Sequence, residues 1–133
     1  MHVERVIDQG RHFIYTTITG EITLPEIRED MARLVADPRY SPDMPGIVDM
    51  RNAKVNLSSD EIRQLTDSLK QSPRVVSNTR RALLVGSDLA FGIYRMFIAM
   101  AENGRTDYRV FREEQAARDW LDELILKRRM DPM

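Results

Sequence analysis

Apolar residues recur along this chain in two rhythms, and each change of rhythm marks an element. His2 to Ile7 and Arg11 to Thr19 are rich in Val, Ile, Phe, Tyr and Thr, and Asp8-Gln9-Gly10 separates them. That pattern predicts a β-hairpin, with Gly10 free to take positive φ. The second strand has Phe13 and Tyr15 on one parity and Ile14 and Ile18 on the other, so both faces are expected to be covered. Thr23-Leu24-Pro25-Glu26 then reads as a capping box with proline in the first turn. The helix it opens carries Ile27, Met31, Leu34 and Val35 as an inner stripe and stops before Pro38. The segment around Pro38, Pro42 and Pro45 is a connector. Gly46 to Met50 is a short buried strand. Ser58 and Glu61 form a second capping box, opening a helix with Ile62, Leu65 and Leu69 inside and Ser72-Pro73 as its stop.

The most apolar stretch of the chain comes next. Thr79 to Val85 predicts a buried strand, and Gly86-Ser87-Asp88 a turn. The following helix carries two apolar stripes. Leu89, Ile93, Met96, Phe97 and Met100 form one, expected to lie on the sheet. Phe91, Tyr94, Ile98 and Ala101 form the other, with Arg95 and Glu102 in the polar sector between them. Asn103-Gly104 ends this helix. Tyr108 to Phe111 is a last strand, and Glu113 to about Lys127 a terminal helix with Ala116, Ala117, Trp120, Leu121 and Leu124 inward. Strands alternating with helices predict an α/β fold: a mostly parallel sheet with right-handed crossovers and an N-terminal antiparallel hairpin. One domain over residues 1–133 is expected, since no repeat or linker divides the chain.

Composition narrows the function classes. At 42% hydrophobic and 31% charged, with net charge -1, the chain favours neither nucleic acid nor an anionic membrane. It has no cysteine, which removes disulfides, thiolate nucleophiles and Cys-based metal sites. The N-terminus has no apolar core of a secretory signal, and Arg95 interrupts the most hydrophobic segment, so the expectation is a cytoplasmic protein without a membrane span.

Candidate chemistry gathers at one edge. Asp49 and Arg51 end a predicted parallel strand, and Ser87 and Asp88 end its neighbour. In open α/β sheets that edge binds ligands. The competing reading has Asp49 capping local backbone and Arg51 lying in solvent or pairing with a carboxylate. Gly86 to Gly92 lacks the spacing of a phosphate loop. His2 and His12 lie in the hairpin without metal-ligand spacing. No nucleophile–base arrangement is present, and Glu29-Asp30 and Glu113-Glu114 are expected on solvated helix faces. The reading is therefore of a protein that is not an enzyme and needs no cofactor or metal.

The chain resembles the SpoIIAA-like branch of the STAS-domain fold. The resemblance rests on Gly20 to Glu26, Ile47-Val48-Asp49-Met50-Arg51, Ala82-Leu83-Leu84-Val85, Gly92 with Arg95-Met96-Phe97, and Val110-Phe111-Arg112 leading to Ala117 and Trp120-Leu121. It implies a four-turn βα superhelix and no established catalytic residues. Better-known STAS members carry a phosphorylatable serine in an Asp-Ser-x-Gly turn. Here Ser58 and Ser59 fall in that region, but Leu57 replaces the Asp and Asp60 the Gly. Ser58 is then a helix N-cap or, alternatively, a phosphorylation site beside repelling acids.

Three functions follow as expectations. The first is a non-enzymatic regulatory module acting through protein partners, homodimeric through Phe91, Tyr94 and Ile98, since aromatic residues and Arg favour interface centres. The second is a binder of a small apolar ligand or lipid, in a pocket between the Leu89–Ala101 helix and the strand edge, using Asp49, Arg51, Ser87, Tyr94 and Arg95. The third is a serine phosphoswitch at Ser58.

Overall fold

The computed structural model describes residues 1–71, 78–101 and 106–130. The expected stops at Ser72-Pro73 and Asn103-Gly104, and Glu102, lie outside the described residues. The element order is β1 (His2–Asp8), β2 (Phe13–Ile22), α1 (Leu24–Ala36), β3 (Gly46–Met50), β4 (Ala53–Val55), α2 (Ser59–Gln71), β5 (Thr79–Val85), α3 (Asp88–Ala101), β6 (Thr106–Phe111) and α4 (Glu114–Met130).

The sheet runs β1-β2-β3-β5-β6, antiparallel only between β1 and β2. β4 is the element that periodicity did not reveal, because three residues are too few to carry an alternation. It pairs in parallel with Gly20–Ile22 at the far end of β2, while β3 pairs with Ile14–Thr17. Gly20 joins these two portions of β2 with φ of 83°, a conformation open to glycine at no steric cost. The hairpin differs from expectation at one point: the left-handed residue is His12, at φ 55°, rather than Gly10. Its Nε2 lies 2.9 Å from Asp43 Oδ1, which anchors it there.

Strand alternation divides the interior into two cores. Ile14, Thr16 and Ile18 of β2, Val48 and Met50 of β3, and Leu83 and Val85 of β5 face one side, under α1, α2 and α3. Phe13, Tyr15, Ile47, Ala82 and Leu84 face the other, where among the described residues α4 alone supplies the cover, with Ala117, Trp120 and Leu121. Ala116, expected inside, is exposed because it lies on the outer side of α4.

The two capping boxes part company. At α2 the box closes reciprocally: Glu61 N–H donates to Ser58 Oγ and Ser58 N–H to Glu61 Oε1, each at 3.1 Å. At α1, Thr23 makes no side-chain cap. Its hydroxyl donates to Glu26 Oε1 instead, and Glu26 Oε2 takes the Met1 ammonium at 2.7 Å. A stronger charged partner outcompetes the cap.

Helix α3 has one broad apolar face, not two stripes. Burial is deepest midway between the expected stripes, at Tyr94 and Phe97, each 8% exposed. Ile93, Met96 and Met100 flank this line on one side and Phe91 and Ile98 on the other, all half-buried. The helix lies in the angle between α2 and strands β5 and β6, so it is wrapped over most of its girth. Leu89, assigned to the sheet contact, is 76% exposed in the first turn, and Tyr94 belongs to the chain's own core.

Candidate functional site

At the carboxyl edge of the sheet, the side chains of Asp49 and Arg51 do come together. Arg51 donates through Nε to Asp49 Oδ1 at 3.0 Å and through Nη2 to Asp49 Oδ2 at 2.8 Å, and Asp49 Oδ1 also accepts the Arg51 backbone N–H. The group extends to α4. Tyr15 Oη donates to Asp49 Oδ2 and lies 3.2 Å from Glu114 Oε1, which also meets Arg51 Nη2. Arg118 Nε donates to Glu114 Oε2, and its guanidinium lies over the Tyr15 ring at 5.6 Å. Two carboxylates and two guanidinium groups balance, and every charge has a partner.

The electrostatics follow from these bonds. Hydrogen bonding to Arg51 holds the Asp49 carboxyl below its ordinary range, and hydrogen bonding to Arg118 does the same for Glu114. Burial, with Asp49 as acceptor, pushes the Tyr15 hydroxyl up to about 12. Hydrogen bonding to Asp49 raises Arg51 further. A closed, neutral network of this kind fastens α4 to β2 and β3.

Asp49 shares parity with Ile47 and Tyr15, so it faces α4, while α3 lies on the opposite face. Asp49 and α3 therefore do not face each other across a common pocket, as the expected site required. One strand separates residues of adjacent parity as effectively as a wall. Ser87 Oγ accepts the Ala90 N–H at 3.1 Å and so caps α3. Asp88 pairs with Arg112, which also reaches the Gly86 carbonyl. Gly86 lies so close to the Arg51 carbonyl that a Cβ would overlap it. Arg95 is on the exposed side of α3, its guanidinium 6.0 Å from the Phe91 ring.

The pocket lies elsewhere. A cavity of about 170 Å³ opens between the sheet and α1, α2 and α3. Ile14, Ile18, Met50 and Leu83 line its floor; Met31, Leu65, Ile93, Tyr94 and Phe97 are among the helical residues above it. Among its few polar groups is a buried ion pair. Arg5 donates through Nη1 and Nη2 to the two oxygens of Asp30, and through Nε to Thr16 Oγ1 at 3.1 Å. Asp30 is 8% exposed, which corrects its expected place on a solvated face; Glu29 does lie in solvent. Glu114, expected in solvent too, is half-buried in the network above. Both misplacements had a sequence signal. Asp30 follows Ile27 by three residues, on the inner stripe, and Arg5 has the parity of Val3 and Ile7.

This arrangement can be set beside known proteins. An uncharacterized protein of the DUF3478 family with a SpoIIAA-like fold, from Shewanella loihica PV-4, is similar over 90% of this chain and 92% of its own, with a TM-score of 0.56 and 15% identity. The chain has a SpoIIAA-like fold. At that identity the likeness speaks for the fold alone, and it agrees with the sheet order and the four helices. No family model matches the chain, and no curated protein matches its sequence.

Within the SpoIIAA-like fold, Ser58 sits exposed at the head of α2 with its hydroxyl engaged by the Glu61 N–H. Among the described residues no group of three His, Asp or Glu side chains could hold a metal ion, and no helix is long and apolar enough to cross a membrane.

Proposed function

We propose that this chain is a non-enzymatic binding module that takes a small, neutral, apolar molecule, or the apolar tail of a larger one, between α1–α3 and the sheet. The cavity carries this reading. Its 170 Å³ is comparable with the about 150 Å³ cavity that admits a benzene-sized guest in an engineered protein interior. Its wall is aliphatic and aromatic. The charges of Arg5 and Asp30 neutralise each other, and the third charged group of the lining, Arg81, is held by the carbonyls of Met44 and Pro42. Tyr94, which lines the cavity, is held in its neutral donor form by burial, so one polar atom on the ligand can be accommodated. Tyr94 also stood at the centre of the expected α3 homodimer interface. Its place in the core favours the cavity over that interface.

Native mass spectrometry of the protein purified from cells should show a retained small molecule. Adding short alkanes or their alcohols should raise Tm by several degrees at about 100 times Kd. Ile93→Trp, at the cavity wall, should abolish that shift. A clean apo mass, whether of one chain or two, together with no thermal shift from any apolar compound sinks the reading.

A further inference from the structure

We propose that the outer stripe of α4 joins a second copy of this chain in an antiparallel helix pair, with the two-fold axis between Ile125 and Leu126. This surface lies across the sheet from the cavity and does not depend on it.

The apolar content points to a partner. Four large apolar side chains are exposed among the described residues, and three gather on this side: Val6 at 65%, Leu126 at 57% and Met130 at 76%. Val6, Ile125 and Leu126 line an open groove of about 850 Å³ between α4 and the β1–β2 hairpin, where no helix of the described residues covers the sheet. Exposed apolar surface rimmed by charges marks interaction sites.

Charge then selects the partner and its direction. Most charges around the groove are already engaged. Arg118 bonds Glu114, Arg80 bonds Glu123, Arg11 pairs with Asp8, and Asp119 accepts from Gln115. Arg128 donates to the Asp43 and Asn78 carbonyls. Asp122 and Arg129 are exposed groove residues with no ion-pair partner among the described residues. They stand seven positions apart, hence on one helix face, and their midpoint falls between Ile125 and Leu126. A parallel copy would set Asp122 against Asp122 and Arg129 against Arg129. An antiparallel copy sets each Asp122 against the other copy's Arg129, twice, around a centre of Ile125 and Leu126. A surface that is its own complement under a two-fold rotation is what an isologous dimer requires.

Sedimentation velocity or light scattering on the full chain tests this. The wild type should show twice the 15.5 kDa of one chain at micromolar concentration. Asp122→Arg alone and Arg129→Asp alone should each raise Kd about tenfold, by replacing both attractive pairs with repulsive ones. The double variant should recover the wild-type Kd, because the pairs re-form reversed. Ile98→Glu, on α3, should leave the mass unchanged. A single-chain mass up to about 100 µM, single variants without effect, a double variant that fails to recover, or dissociation by Ile98→Glu would each overturn the proposal.

Discussion

The two faces of the sheet are held by opposite means. Under α1–α3 the contact is broad and aliphatic, it encloses a cavity, and the charges in that cavity are the buried pair Arg5 with Asp30 and Arg81, which bonds the carbonyls of Met44 and Pro42. Under α4 a single helix rests on a small core around Trp120, and Tyr15, Asp49, Arg51, Glu114 and Arg118 bind it along one edge. A face with three helices can spare volume for a guest. A face with one helix needs directional bonds to hold it and leaves the neighbouring strands open. The strand-end Asp and Arg, which look like a ligand site in an open α/β sheet, are bonded here to Tyr15 and Glu114, while the cavity lies where apolar surface is in excess.

The contrast can be broken most severely at Tyr94. Tyr94→Asp would place an unpaired carboxylate in the α1–α3 core, with an expected cost above about 5 kcal/mol. Circular dichroism should show an unfolded chain; a folded monomer would instead make Tyr94 an interface residue. Asp30→Ala leaves Arg5 buried and unpaired at a cost of about 3–5 kcal/mol, whereas replacing both partners with apolar residues should return most of it. Urea denaturation of the single and double variants separates the two cases.

On the other face, Asp49→Asn should cost about 1.5–3 kcal/mol, as a charged hydrogen-bond acceptor is lost. The same network carries an acid sensitivity. Asp49 and Glu114 have folded pKa values below their ordinary ones, so the stability they lend is complete above about pH 4.5 and is lost as pH falls through the lowered folded values. Trp120 is the only tryptophan and sits on α4, so its fluorescence should report acid loosening of this face, with a smaller acid response in Asp49→Asn. An acid response equal in the two proteins would remove this network from the explanation. The smallest effect is expected at Ser58→Ala, about 1 kcal/mol from the lost cap. Phosphopeptide mapping of protein from cells tests separately whether Ser58 is ever modified.

Much of the frame was legible in the residues. Short apolar runs marked the strands Gly46–Met50 and Thr79–Val85, and Ile62, Leu65 and Leu69 marked the buried side of α2, because a period of 3.6 follows from backbone geometry alone. The Ser58–Glu61 box was equally local. The site was less legible. Asp49 and Arg51 were identified as a group, but whether they face a ligand or Tyr15 and Glu114 depends on which layer lies above their parity, and Glu114 is 65 positions from Asp49 in sequence.

By itself, then, the sequence determined every element except β4, their order and the two faces of β2. These are set within a few residues of one another. The tertiary structure decided how wide a face α3 would bury, which side Asp49 would serve, that Arg5 and Asp30 would meet, and where a cavity would remain. Those outcomes depend on how far apart two layers settle and which distant side chain arrives first at a buried charge, and no local period records either.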